Sequence, residues 1–157
     1  MSGFFGVDRY PCESADILCD ISRPLPFNDN SVDEIYLDNV VEHIFDIPSL
    51  MKELVRICRN GAIITIITPH FTSLSSWKDP THVHHLSYFS FDHFGKPSTL
   101  HYTGGGVRLI NRNLSFGGSI FGLLGRLFFS IGPEWYERHV CFIFRASTLT
   151  FCLEVTK

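Results

Sequence analysis

The chain has 157 residues, 45% of them apolar and 18% charged, which fits one folded domain with a substantial core and excludes a disordered chain. A formal net charge of −3 excludes the basic footprint of a general nucleic-acid or anionic-membrane binder. Five cysteines (Cys12, Cys19, Cys58, Cys141 and Cys152), with no C-x-x-C pair, read as buried thiols in a reducing compartment and not as a disulfide frame or zinc site. No basic patch followed by an apolar run opens the chain, so the expected location is the cytoplasm.

Phe4 to Val7 is a short apolar run ending on Asp8, the pattern of a strand buried on both faces. Pro11 breaks it. "ADILCDI" (Ala15 to Ile21) predicts a second strand, with Asp20 near its end. After Pro24, Pro26 and the "NDNS" turn, Val32 to Asp38 alternates into a third strand that leads into Asn39. A helix follows, with Asp46 as N-cap, Pro48 in its first turn, and Leu50, Leu54 and Cys58 on one face. Gly61 is expected to end that helix in a left-handed cap. "AIITIIT" (Ala62 to Thr68) predicts a central strand.

Beyond Pro69 the histidine- and aromatic-rich stretch reads as a covering loop with a short helix near Phe91 to Phe94. Val107 to Phe116 and Thr148 to Thr156 alternate as strands and predict an antiparallel pair at one sheet edge. "TGGGV" (Thr103 to Val107) reads as a turn. The apolar run Phe116 to Gly132 carries Arg126 and is shorter than the ~20 residues of a spanning helix. It predicts a packed helix or lid, with an interfacial membrane contact as the weaker alternative. The chain divides into residues 1–70, a cofactor-binding half; 71–116, an acceptor-side cover; and 117–157, the apolar insertion and final strand, all within one domain.

Strands alternating with a helix predict a largely parallel α/β sheet, and such sheets bind ligands at the carboxyl ends of their strands. Asp8, Asp20 and the Asp38–Asn39 pair occupy three consecutive strand ends. One such carboxylate can accept the two hydroxyls of a ribose and another an adenine amino group, while Arg9 and Ile21 offer backbone groups from the following loops. Loop capping is the ordinary alternative for any one of these aspartates.

The ordered series "GVD", "LPF" followed by "S-x-D", "NVVEHI", "ELVRICRNG" and "TPH" resembles the class I S-adenosylmethionine-dependent methyltransferases, especially the methyltransferase type 11 group. The resemblance covers residues 4–94 well and the remainder more loosely. It implies a Rossmann-like sheet, mostly parallel with an antiparallel C-terminal edge. It also implies that Asp8 holds the ribose of S-adenosylmethionine, Asp20 faces the adenine amino group and Ile21 packs beside it. Asp38 and Asn39 would line the methionine side, with Glu42 and His43 on the rim. Methyl transfer to a small-molecule or lipid-like acceptor follows from the resemblance, with His43 or His82 as the base and no metal required. Family members begin with a strand ending in a glycine-rich turn. Nothing ahead of Asp8 matches it, so the expected sheet is truncated at its N-terminus, and an unfilled centre favours self-association.

Two other classes compete. A non-catalytic relative or partner subunit would keep the fold without binding the cofactor alone. A metal-dependent enzyme would use the cluster from His82 through His84 and His85 to His93, although H-x-H-H is no established zinc pattern. His70 shares the ambiguity of His43: base, or satisfied structural histidine.

Overall fold

The computed structural model describes residues 3–95 and 106–157. Its strands form two separate sheets. Val7–Asp8 (β1) and Ile17–Leu18 (β2) make a two-stranded parallel ribbon. Val32–Asp38 (β3), Cys58–Pro69 (β4), Val107–Phe116 (β5) and Ala146–Val155 (β6) form the main sheet in the order β3-β4-β6-β5. β3 runs parallel to β4, and β6 is antiparallel to both of its neighbours. The α/β architecture with an antiparallel C-terminal edge is therefore as the sequence predicts.

Ile64 and Ile66 of β4 and Leu149, Phe151 and Leu153 of β6 are fully buried at the sheet centre. The main helix, Ile47–Ile57 (α1), starts as its sequence requires. Asp46 Oδ1 accepts from the Ser49 amide at 2.9 Å, with Pro48 in the first turn. The helix buries Leu50, Met51, Leu54 and Ile57. Its outer side holds the preceding loop. Arg56 donates to the carbonyls of Phe27 (3.1 Å) and Leu25 (3.2 Å), and Glu53 accepts from the Leu25 amide at 2.6 Å. The Arg56 guanidinium, through its hydrogen bond, holds the Glu53 carboxyl below the ordinary carboxylate range. That contribution is complete above the ordinary pKa and is lost as pH falls through the depressed one.

Several expectations are corrected. The first strand is not buried: Phe5 is 71% exposed, and β1 and β2 are only two residues each. An apolar run records composition, and burial needs neighbours on both sides, which this ribbon lacks among the described residues. Gly61 does not end α1. The helix closes at Ile57, and Cys58 turns directly into β4. Gly61, at φ +83°, sits inside β4 where the pairing jumps from Val32↔Cys58 to Glu34↔Ile63, so its left-handed backbone serves a bulge. The run Phe116–Gly132 does form one helix, Ile120–Ile131 (α3), and Pro133 starts a further helix beyond it, Pro133–His139 (α4). A short helix Leu74–Lys78 (α2) lies in the covering segment and was not expected. Of the glycine run read as a turn, residues 103–105 lie outside the described residues. No helix among the described residues is long and apolar enough to cross a membrane.

All five cysteines are free, but only Cys58 and Cys141 are buried as expected; Cys12, on the thinly covered ribbon, is exposed. Burial pushes the Cys58 thiol up to about 11, with the buried Cys141 raised by the same cause, while Cys12 is exposed. Native alkylation at pH 8 is therefore expected to label Cys12 and to spare Cys58 and Cys141 until denaturant is added. Mass mapping of the labelled peptides checks this, and early labelling of Cys58 would contradict the packing around β4.

Candidate functional site

A cavity of about 1390 Å³ separates the β1–β2 ribbon from the outer edge of β3. Asp8 ends β1 at its wall with Arg9 just beyond, and the loop after β2 contributes Asp20 and Ile21. Asp38, Asn39 and His43 line it from the β3 side. The strand-end residues singled out in the sequence thus share one cavity, although they reach it from two different sheets.

Local hydrogen bonding shapes each carboxylate. Asp8 Oδ1 accepts from the Tyr10 amide at 2.8 Å, and its other oxygen has no partner among the described residues. Asp20 Oδ1 accepts from the Ser22 hydroxyl (2.6 Å) and amide (3.0 Å). These bonds, the hydroxyl's first, hold Asp20 below the ordinary carboxylate range, with Arg9 and Arg23 nearby. Asp20 stays ionised across neutral pH. Asn39 adopts φ +52° and donates through its side chain to Asp38 Oδ1 at 2.7 Å. Its amide is tied to the Ile67 carbonyl at 2.9 Å, which fixes the corner after β3.

A 3-10 turn, Val41–His43, follows that corner. His43 is exposed at the cavity wall, but Glu42 is only 1% exposed. The rim position expected for Glu42 is thereby corrected, since the turn points its carboxylate inward to accept from Thr68 Oγ1 at 3.0 Å. The Glu42 carbonyl accepts from the Val83 and His84 amides, which draws the covering segment across the turn. His82 thereby meets His43, with ring centroids 4.6 Å apart and an edge-on geometry. His82 lies outside the large cavity's wall and reaches it only through His43.

The other histidines are employed separately. His84 Nε2 contacts the Phe45 carbonyl at 3.2 Å. His85 stacks on Trp77 at 3.6 Å and bonds Ser76 Oγ at 2.9 Å. His93 is exposed on the Asp92–Phe94 turn. His70 is fully buried: its Nδ1 accepts from the Thr72 amide, and its Nε2 meets Glu137 Oε1 at 3.0 Å. It joins β4 to α4 and is structural. Among the described residues, the grouping able to converge on one ion is Glu42, His43 and His82, not a His82-to-His93 set. Sequence reading missed Glu42 as a buried participant. The only signal was a carboxylate directly after two valines, with a threonine closing the next strand.

Residues 8–66 match the family described as "Methyltransferase domain". No curated protein matches the sequence. Among solved structures, a SAM-dependent methyltransferase from Archaeoglobus fulgidus is 19% identical with a TM-score of 0.62, over 95% of this chain and 74% of its own. A SAM-dependent methyltransferase from Mesorhizobium loti is 14% identical with a TM-score of 0.55, over 92% of this chain and 71% of its own. The [4+2]-cyclase SpnF is 10% identical with a TM-score of 0.57, over 91% of this chain and 56% of its own. The chain shares the fold of these S-adenosylmethionine-dependent methyltransferases, and residues 8–66 match the methyltransferase-domain family. The cyclase neighbour illustrates that this fold alone does not fix a reaction.

Proposed function

We propose that the chain binds S-adenosylmethionine between the β1–β2 ribbon and β3, and transfers its methyl group to a small-molecule or lipid-like acceptor. The observation that carries this reading is the gathering of Asp8, Asp20 and Asp38 around one cavity. The donor set suits a nucleoside: Asp8 offers an open carboxylate oxygen to the ribose hydroxyls, and ionised Asp20 faces the adenine amino group beside Ile21. Asp38 and Asn39 lie where the amino-acid portion would run. When bound, the sulfonium supplies an electrophilic methyl carbon. The protein's own part is alignment and exclusion of water, together with proton removal from the acceptor by His43, with His82 behind it. Aromatic residues of the cover, among them Phe71 and the half-exposed Trp77, suit an apolar acceptor.

Calorimetric titration with S-adenosylhomocysteine tests the reading. Micromolar affinity is expected, and Asp8→Ala should weaken it at least tenfold, about 1.4 kcal/mol. Unchanged affinity in the variant would overturn the ribose assignment. A second reading is favoured by the free edges of β1 and β3, which flank the cavity with no strand between them among the described residues. In it, this domain binds the cofactor only when a further strand completes the sheet. Binding restricted to a chain extended by a glycine-rich strand ahead of Gly3 would select it.

A further inference from the structure

We infer that Glu42, His43 and His82 form a binding site for a first-row divalent transition cation of the Zn²⁺ class. One donor atom from each residue lies within 4.8 Å of the other two. A tetrahedral ion with ligands near 2.1 Å spaces its donors about 3.4 Å apart. The exposed side chain of His43 has the freedom to close that difference.

Three independent features favour an ion over a chance cluster. The first is electrostatic. Glu42 is 1% exposed, and its Oε1 is the one buried side-chain polar atom without a hydrogen-bond partner among the described residues. An ionised carboxylate left that way is costly, and a cation removes the cost.

The second is the tautomeric state of the rings. Thr81 Oγ1 gives its proton to Asp79 at 2.6 Å, so toward His43 Nδ1, 3.0 Å away, it acts as acceptor. His43 therefore carries its proton on Nδ1 and presents a lone pair at Nε2. His82 Nδ1 donates to the Ser76 carbonyl at 3.0 Å, which leaves its Nε2 as a lone pair too. Asp79 Oδ2, 3.9 Å from that Nε2, is beyond hydrogen-bond reach. Each imidazole thus has Nδ1 engaged by an outer partner, and as the neutral tautomer offers Nε2 to an ion, as metal-bound histidines do.

The third is rigidity. The Val83 and His84 amides bond the Glu42 carbonyl, so the segment bearing His82 is fastened to the turn bearing the other two ligands. Two imidazoles and one carboxylate select a borderline transition ion over Mg²⁺ or Ca²⁺, which prefer all-oxygen sets. Three protein ligands leave a position open, and His43 sets it at the cavity wall. This assignment does not depend on the methyl-transfer reading, and with an ion bound His43 is a ligand and not the base proposed above.

The test is titration of the whole 1–157 chain, purified and stripped with chelator, with Zn²⁺ by calorimetry and Co²⁺ by visible absorption. One equivalent is expected to bind, and Co²⁺ should develop the intense d–d bands of a four-coordinate site. His43→Ala, on an exposed residue, and Glu42→Gln, which keeps shape, should each weaken Zn²⁺ at least tenfold, with circular dichroism confirming the fold. His93→Ala and Cys12→Ser should leave binding unchanged. The assignment is overturned by absence of saturable binding, or by binding that survives both ligand variants. It is equally overturned if the Cys12 or His93 variant abolishes binding.

Discussion

Phe151→Ala is expected to lower the unfolding free energy by about 3–5 kcal/mol, the range for removing a buried aromatic ring from a close-packed core. Phe151 is fully buried on β6, between Ile66 of β4 and Arg112 of β5, and its ring packs at a tilt against Phe91 from the covering segment, centroids 4.7 Å apart. The cavity left would be bounded by two strands on one side and the cover on the other, so it has little room to collapse. In urea the midpoint should fall with the slope unchanged. Phe151→Leu should recover most of the loss. A midpoint shift worth less than about 1 kcal/mol would mean that the sheet and cover are not packed as described.

Gly6→Val is expected to have the opposite profile: loss of S-adenosylhomocysteine binding with little change in global stability. A Cβ at Gly6 would stand 1.6 Å from the Ser14 carbonyl oxygen, and that oxygen is backbone and cannot swing away. The Gly6 carbonyl accepts from the Asp16 and Ile17 amides, and its own amide donates to Asp16 Oδ2 at 2.8 Å. Forcing the two segments apart breaks these bonds, and with them the spacing between Asp8 and Asp20. Amide exchange at Ile17 and Cys19 should accelerate while the core strands keep their protection. Retained binding in a folded Gly6→Val chain would remove the ribbon from the site.

The main sheet was legible because its signals are strong and local. Val32–Asp38 and Val107–Phe116 alternate at period two, and the β-branched run around Ile64 cannot rest comfortably in a helix. The cap at Asp46 follows from a carboxylate three residues before Ser49. What escaped depends on distant partners. The exposure of Phe5 follows from the lack of a second neighbouring strand among the described residues, which composition does not register. The role of Gly61 lies in a register jump opposite Val32 and Glu34, and so belongs to two strands at once. In the candidate site, the strand-end aspartates were visible as residues but their distribution over two sheets was not. Glu42 shows the same limit: Thr68, whose hydroxyl donates to its carboxylate, lies 26 positions away in sequence.

The hydrogen bonds of residues 6–23 close upon one another among the described residues, and the first polar ties to the body come at Leu25. Cys19 and Ile21 add only partial apolar packing against the core. The ribbon and the main sheet are therefore distinct cooperative units, and a ligand seated between them reports on whether they are docked. Its apparent dissociation constant equals the intrinsic one divided by the docked fraction. Substitutions that loosen the hinge around Leu25, such as Arg56→Met, thus weaken binding without touching the ligand, and a saturating ligand returns the ribbon's amides to the protection of the core.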